Sequence, residues 1–476
     1  MLPRFPGKPG CIAADLPLSA PQVYSAQMNP DLAAKYDLRV PRYTSYPTAP
    51  HFSPAVGAER YGQWLGELAP DTRLSLYLHI AYCAEMCWFC GCNTKITKQY
   101  APIADYLDCL WREIDLVAEK LPARMAASHI HFGGGTPSIL TPEDFVGTLD
   151  KLRQRFLLTE DAEVAVELDP RTTDEAYIKA MAKGGVNRAS IGVQDFNPEV
   201  QEAINRIQPY DVTARVINWL RDNGIAEINM DLIYGLPHQT VGSLADTIAL
   251  AVEFAPRRIA LFGYAHVPWM KKHQRLIPDQ ALPGMEERWL QYDSAARQLI
   301  DAGYVQVGLD HFAAADDPMA IALKERRLHR NFQGYTTDAA EVLVGFGASG
   351  IGSLPQGYIG NETVIHLYKD MIRDGRLATT RGIAVDRDDL LRRSVIERLM
   401  CDLALDLDKH CAAWQEDPAQ FDDDLARLRP MQEDGLLAIE GRKITMTEGG
   451  RPLVRAACAA FDRYLHEGEM RHSRAV

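Results

Sequence analysis

Tyr77-Leu78-His79-Ile80-Ala81-Tyr82-Cys83-Ala84-Glu85-Met86-Cys87-Trp88-Phe89-Cys90-Gly91-Cys92 decides how the rest of the chain is read. It completes an apolar run from Leu74 to Ile80, which reads as a strand, and then delivers four of the nine cysteines in one short loop. The spacing is C-x3-C-x2-C, with a further cysteine two residues on. Three thiolates on so tight a loop can face one way and hold three irons of a [4Fe–4S] cube, for which thiolates are the usual ligands. Three ligands leave a fourth iron open, as a catalytic metal site requires. Trp88-Phe89 would shield such a cluster or stack on a nearby base. Zinc is the competing reading. Structural zinc sites usually pair one C-x2-C with a second far along the chain, and here Cys11, Cys109, Cys401, Cys411 and Cys458 each stand alone. Cys11 lies in an N-terminal arm, the face of the surrounding helix excludes Cys109, and the others read as packing cysteines.

Outward from this loop the chain alternates strand and helix. Further short apolar runs read as strands at His129–Phe132, Val164–Leu168, Ala189–Val193, Ile228–Ile233, Ile259–Tyr264 and Val305–Leu309. Between them, Leu107, Leu110, Ile114, Val117 and Leu121 share one helix face; Phe145, Leu149, Leu152 and Phe156 share another; Leu244, Ile248, Ala251 and Val252 a third. Thr141-Pro142-Glu143-Asp144 is a helix start, with a cap, a proline in the first turn and acids at the positive end. Gly184 and Gly224 sit where helices should stop. Strands joined by helical crossovers form a parallel sheet. The number of units favours a complete or partial parallel βα barrel, with the chemistry at the carboxyl ends of the strands.

The chain has 476 residues, 47% hydrophobic and 24% charged, enough for two to three domains of ordinary globular composition. Lys+Arg 51 against Asp+Glu 64 gives a net charge of -13, which argues against a general nucleic-acid binder. Val342 to Gly360 carries no charge and is long enough to raise a membrane span. Its glycines and Pro355 favour instead a strand ending in a glycine-rich loop, so no membrane partner is expected. The first ~20 residues lack the apolar core of a secretion signal. The expected compartment is therefore reducing and cytoplasmic, where clustered cysteines mean metal or catalysis. No coiled-coil seam is visible, and a monomer is the default.

Residues 1–50 read as an arm, 51–365 as the catalytic barrel domain, and 366–476 as a small C-terminal helical, winged-helix-like domain. In the last, Asp388–Leu405 reads as a helix and Gly435–Thr447 as a hairpin in which Leu437 and Ile439 face Ile444 and Met446. DNA binding by that module is disfavoured by its acidic surroundings, Glu416-Asp417 and Asp422-Asp423-Asp424. Arg42-Tyr43-Thr44-Ser45-Tyr46-Pro47, at the end of the arm, reads as a surface strap.

The cysteine loop after a first barrel strand resembles the radical S-adenosylmethionine superfamily. Other motifs follow in matching order: Gly133-Gly134-Gly135-Thr136-Pro137 after the second strand, Glu167-Leu168-Asp169-Pro170 at the end of the third, Gln194 at the end of the fourth, and Asp231 in the fifth. Cys92, the Tyr77-x-His79 lead-in and His329-Arg330-Asn331-Phe332-Gln333-Gly334-Tyr335 narrow the resemblance to the oxygen-independent coproporphyrinogen III oxidases. It covers nearly the whole chain. Trp88 stands where that family more often has tyrosine. The haem chaperones of the same superfamily lack a cysteine at the Cys92 position and the Asn-Phe-Gln-Gly-Tyr segment.

The resemblance implies a [4Fe–4S] cluster held by Cys83, Cys87 and Cys90, and two S-adenosylmethionine molecules. By position, Tyr77, Gly134, Glu167 and Ile351 would contact the first. Phe89, Gly135, Thr136, Gln194, Arg206, Asp231 and Ala265 would contact the second. Cys92, His79 and Gln333 match positions near the reacting groups; for His79 a satisfied core histidine is a close alternative. The implied reaction removes two propionate carboxyls of coproporphyrinogen III as carbon dioxide and leaves two vinyl groups, giving protoporphyrinogen IX for haem biosynthesis. A 5′-deoxyadenosyl radical would take the hydrogen, and a low-potential electron donor would feed the cluster. The basic segment Lys324-Glu325-Arg326-Arg327-Leu328-His329-Arg330 is a candidate for neutralising substrate propionates, with a solvated helix face as the alternative.

Overall fold

A computed structural model describes residues 40–465 together with Leu32, Lys35 and Tyr36. Most of the arm read at 1–50, with Cys11, lies outside the described residues. Two units can be distinguished: residues 49–283 with 338–385, and residues up to 48 with 284–337 and 386 onward.

The first unit is the strand–helix alternation. Its elements are α1 (Ala58–Gly66), β1 (Leu74–Ile80), α2 (Ala101–Ala118), β2 (Ala126–Gly134), α3 (Pro142–Arg155), β3 (Leu157–Leu168), α4 (Glu175–Lys183), β4 (Arg188–Gln194), α5 (Tyr210–Asp222), β5 (Glu227–Tyr234), α6 (Val241–Glu253), β6 (Arg258–Gly263), β7 (Val342–Phe346), β8 (Ile351–Leu354), β9 (Gly357–Asn361) and β10 (Thr379–Ala384). The strand order is β10-β9-β8-β7-β1-β2-β3-β4-β5-β6. From β7 to β6 every pair is parallel. The barrel is partial, because the outer neighbour of β7 is the antiparallel β8. β1 is the middle of this sheet and is buried at nearly every position on both faces, which is why its sequence is almost continuously apolar.

Helix starts follow the local chemistry. Thr141 caps α3 by accepting the Asp144 amide, and Thr240 with Ser243 forms a capping box on α6. Phe145, Leu149, Leu152 and Phe156 are fully buried, as the periodicity requires. Gly224 takes the left-handed conformation after α5, whereas after α4 that role falls to Gly185 and not Gly184.

Two apolar runs fold differently from the sequence reading. Val342–Gly360 is not a strand with a loop but three strands, β7 to β9, turned back on one another. Among the described residues no helix is long and apolar enough to cross a membrane. Val305–Leu309 does not extend the parallel series. Tyr304–Val307 pairs antiparallel with His311–Ala314 in the second unit, since a short apolar run carries no information about its partner's direction.

The second unit holds a helix at Met285–Asp301, that hairpin, a smaller hairpin of His329–Asn331 with Gly334–Thr336, and a helix at Arg387–Asp402. A three-stranded sheet follows, Ala404–Asp406 beside Lys443–Met446 beside Leu437–Glu440. Leu437 pairs with Met446 and Ile439 with Ile444, the register read from sequence. The Arg42–Pro47 strap is not on the surface: Tyr43 and Tyr46 are buried, with the Tyr43 hydroxyl donating to Asp462 at 3.1 Å and the Arg463 amide to the Tyr46 oxygen at 3.0 Å.

One buried carboxyl ties the sheet to α2. Glu113 accepts the Gly347 amide (2.7 Å), the Tyr368 hydroxyl (2.8 Å) and the Asn361 amide group (2.7 Å). Tyr106, two turns earlier on α2, donates to the His79 carbonyl at 2.7 Å and accepts from the Ala348 amide at 2.9 Å. Burial lifts the Glu113 carboxyl from 4.5 to about 7, against the pull of its three donors. The folded chain therefore binds this proton more tightly than the unfolded chain, and its stability falls as pH rises from about 4.5 to about 7. Glu113→Gln is expected to flatten that slope while costing about 1 kcal/mol from one mismatched hydrogen bond. Apparent Tm measured against pH for both chains checks this.

Candidate functional site

The site begins where β1 ends. Tyr82–Cys83 pairs in parallel with Lys95–Ile96 and closes the cysteine loop at its base. The end of β2 locks against it: the Gly135 amide donates to the Ile80 carbonyl at 2.7 Å and the Thr136 amide to the Tyr82 carbonyl at 3.0 Å. This approach is possible only without side chains. A Cβ on Gly133 would stand 2.7 Å from Glu167 Oε1, and one on Gly134 (φ +111°) 2.8 Å from His79 Nδ1. A Cβ on Gly135 would overlap the Tyr82 carbonyl oxygen.

Two further segments grip the loop by its backbone. After the short helix Pro198–Ala203, the Ile204 carbonyl accepts the Trp88 amide (2.9 Å) and Asn205 Nδ2 donates to the Met86 carbonyl (2.7 Å). Beyond β6, Gln274 Nε2 bridges the carbonyls of Phe89 (2.9 Å) and Ala265 (3.3 Å), His273 Nε2 donates to that of Cys90 (2.7 Å), and Lys271 to that of Cys92 (3.1 Å). Trp88 and Phe89 pack on an apolar cluster that includes Val200, Ile204, Ile233 and Tyr264.

Each of the three spaced sulfurs then meets a hydrogen-bond donor. Thr94 Oγ1 donates to Cys83 Sγ at 3.3 Å, and the Cys92 amide to Cys90 Sγ at 3.3 Å. Cys87 Sγ receives two guanidinium groups, Arg171 Nη2 at 3.2 Å and Arg206 Nη1 at 3.4 Å. Asp169 lies between those arginines, 2.7 Å from Arg171 and 3.2 Å from Arg206. Burial alone would raise the Asp169 carboxyl; the Arg206 charge and the Arg171 hydrogen bonds outweigh it and hold the group at about 2. Burial pushes the Cys83 thiol up to about 12 against the Thr94 bond, so a metal must displace its proton before it serves as a ligand. Cys90 is pulled below the ordinary thiol value, first by the Cys92 side chain, and Cys92 is raised by the same pairing. Cys401, Cys411 and Cys458 are buried elsewhere as packing cysteines, Cys458 donating its S–H to the Ile396 carbonyl. Cys109, read from sequence as off the apolar face of its helix, is buried on α2 as well, because the buried face of that helix is wider than the apolar stripe.

A single cavity at the strand ends is lined by Cys83, Cys87, Cys90, Cys92, Phe89, Gly134, Gly135, Thr136, Glu167, Gln194, Arg206 and Asp231, all named from sequence. Gln194 has φ +70°, a left-handed conformation that turns the chain out of β4 at the cavity rim. Arg206 also donates to the Gly192 carbonyl at 2.6 Å, and Ser190 Oγ reaches Asp231 at 3.4 Å. Tyr77, His79, Ala265 and Ile351 belong to this unit but do not line the cavity. Tyr77 stacks on His131 (5.9 Å, 25°), whose Nε2 lies 2.9 Å from Glu167. His79 is held below its ordinary pKa by burial. Its Nε2 donates to the Asn93 carbonyl at 2.8 Å, which leaves Nδ1 to accept from Tyr77 at 3.1 Å. Ile351 pairs with Gly360 in the antiparallel extension. Gln333 lies in the second unit.

Sequence reasoning missed Thr94, Asp169 as the bridge, Arg171, and the Lys271–Gln274 clamp. Asp169 and Arg171 follow Glu167 within four residues, and that proximity was the available signal. The donor chemistry fits an iron–sulfur cluster. Three sulfurs set to receive hydrogen bonds suit thiolates, the usual ligands of such a cluster.

Thiols of this kind beside a bare glycine turn define a class, and the comparisons agree. Residues 77–251 match the Radical SAM superfamily, and residues 385–453 the HemN C-terminal domain. The oxygen-independent coproporphyrinogen III oxidase of Bradyrhizobium diazoefficiens is 52% identical over 450 residues, spanning 94% of this chain and 100% of that protein. Its counterpart in Paracoccus denitrificans is 42% identical over 90% of this chain and 95% of that protein. The coproporphyrinogen III oxidase (HemN) of Escherichia coli, described as a radical SAM enzyme, superposes with a TM-score of 0.87 at 39% identity, covering 92% of this chain and 100% of that one. The chain belongs to the oxygen-independent coproporphyrinogen III oxidase family of radical SAM enzymes. The family implies a [4Fe–4S] cluster and S-adenosylmethionine.

Because Gly135 has no space for a Cβ whereas Gly91 has nothing within 4 Å, the two test the loop differently. Gly135→Ala is expected to lose most bound iron and sulfide after anaerobic reconstitution, and Gly91→Ala to retain it. Iron and sulfide assays on both variants check this.

Proposed function

We propose that this chain oxidatively decarboxylates two propionates of coproporphyrinogen III to vinyl groups, giving protoporphyrinogen IX without oxygen. The observation that carries the reading is the set of three sulfurs, each with its own hydrogen-bond donor, in one cavity at the strand ends of a partial βα barrel. On this reading Cys83, Cys87 and Cys90 ligate the cluster. When bound, the cluster and S-adenosylmethionine together supply one-electron chemistry and a carbon radical able to abstract hydrogen.

The chain's own residues position and neutralise. Gly134 and Gly135 bring backbone close to the first and second cofactor molecules. Glu167, oriented by His131, holds the amino group of the first, with Tyr77 and Ile351 supporting it. Phe89, Thr136, Gln194, Asp231 and Ala265 bound the second, and Arg206 offers its charge to a carboxylate. Arg171 and Arg206 spread positive charge onto the Cys87 sulfur, which favours the thiolate. His79, with both ring nitrogens engaged, holds Asn93 and the Gly134 turn in place rather than moving a proton. Cys92 and Gln333 act near the reacting groups.

The two-molecule stoichiometry, a low-potential electron donor, a cytoplasmic monomer, and the absence of nucleic-acid and membrane partners are parts of the same proposal. So is the functional division into an arm (1–50), a catalytic barrel domain (51–365) and a C-terminal domain (366–476). The two family matches fall inside the second and third of these.

The test is anaerobic incubation of the reconstituted chain with coproporphyrinogen III, S-adenosylmethionine and a reductant. Protoporphyrinogen IX and 5′-deoxyadenosine are expected as products by chromatography, and Cys87→Ser is expected to yield neither. Cofactor cleavage without any vinyl product would overturn the assigned substrate.

A further inference from the structure

Resting on that reading, we infer that Arg330 in the second unit, with Gln333 beside it, is a receptor for a carboxylate of the tetracarboxylate substrate. The basic segment 324–330 is not uniform. Lys324 is exposed, and Arg327 is exposed and ion-paired with Glu325. His329 Nδ1 lies 3.0 Å from Glu397. Arg330 lies with its Cζ 4.4 Å over the Tyr335 ring and its Nη2 donating to the Arg42 carbonyl at 3.2 Å.

That leaves Arg330 Nε and Nη1 shut from solvent with no hydrogen-bond acceptor. Gln333 Nε2, in the turn of the same hairpin, is equally enclosed and equally without an acceptor. Buried donors are almost always satisfied, and an unsatisfied one costs about 1–3 kcal/mol, more when charged. Three open donors within four residues, one side chain of them a guanidinium, describe a site that lacks its acceptor.

The surrounding charge selects the sign of that acceptor. Arg42 and Arg455 stand within electrostatic range, and burial together with the Arg42 and Arg330 charges lowers the Arg455 guanidinium to about 10. Asp310, Asp462 and Glu397 are the nearby carboxylates; Asp310 is held by His311 at 2.7 Å, Asp462 by Tyr43 at 3.1 Å and the Tyr464 amide at 2.9 Å, and Glu397 by His329 at 3.0 Å and the Arg330 backbone amide at 3.4 Å. None supplies the missing acceptor to Arg330 Nε and Nη1. A planar guanidinium and a side-chain amide on one hairpin, each with enclosed donors and no acceptor, match a carboxylate, and propionate is the carboxylate the substrate offers.

The experiment measures binding of coproporphyrin III, the air-stable tetracarboxylate, and of its uncharged tetraamide to the reconstituted full chain by porphyrin fluorescence. Arg330→Gln is expected to weaken coproporphyrin III binding by about 10- to 100-fold and leave tetraamide binding within about twofold. Arg330→Lys should recover part of the loss, and Gln333→Leu should show a smaller loss confined to the charged ligand. Equal loss for both ligands, or no loss for either, overturns the inference. If Arg330→Gln does not fold, Arg330→Lys and Gln333→Leu decide: unchanged affinity for coproporphyrin III in both overturns it. Failure of the unsubstituted chain to convert coproporphyrinogen III would instead remove the proposed function, a separate result.

Discussion

Gly135 lies so close to the Tyr82 carbonyl that no side chain fits between them, while its amide bonds the Ile80 carbonyl. The rest of the site depends on this approach. It fixes the take-off direction of the cysteine loop relative to β2, and β2 in turn carries Gly134 against His79 and Gly133 against Glu167. Had the two strand ends stood even one side chain apart, the loop would hang from β1 alone. With them in contact, the clamps from Ile204–Asn205 and from Lys271–Gln274 need only hold carbonyl groups already nearly in place. Backbone carbonyls are the natural handles, since gripping them leaves the cysteine side chains free to face the cavity.

The three sulfurs are supplied with donors from different parts of the chain. Cys90 uses the amide two residues on, Cys83 a threonine at the loop's base, and Cys87 two arginines from the segments that follow β3 and β4. Two guanidinium groups on one sulfur would repel each other and overcharge the site. Asp169, ionised at about 2, sits between them and removes that cost. The carboxylate is thus part of the sulfur's environment although it touches no sulfur, and removing it would leave two buried cations facing each other. A chain whose net charge is -13 can hold such a centre because screening confines charge effects to about 8–10 Å.

The cysteine loop, the parallel strands and most cavity residues were legible because each announces itself locally. Thiol spacing, a run of glycines, a carboxylate or amide at a strand end and helix caps need no knowledge of partners. The cap at Thr141 and the Leu437–Met446 pairing were readable for the same reason. What was not legible required knowing which segments meet. Val305–Leu309 is as apolar as a barrel strand, but its direction is set by a hairpin partner six residues later. Val342–Gly360 carries three strands because glycines permit close strand packing, which looks like a loop when only composition is seen. Thr94, Arg171 and the Lys271–Gln274 clamp are ordinary polar residues until the fold sets them against a sulfur or a carbonyl.

The same distinction separates the arginines of the basic segment. In sequence, Arg326, Arg327 and Arg330 are equivalent charges on one stretch. In the fold, Arg327 spends its charge on the neighbouring Glu325 in water, where an ion pair contributes little. Arg330 is carried by a hairpin onto Tyr335, where solvent is excluded and each unmade hydrogen bond counts in full. Charge density along a chain therefore says where an anion would be attracted. Only enclosure of particular donor atoms says where it would be held, and within this basic segment that second property belongs to Arg330.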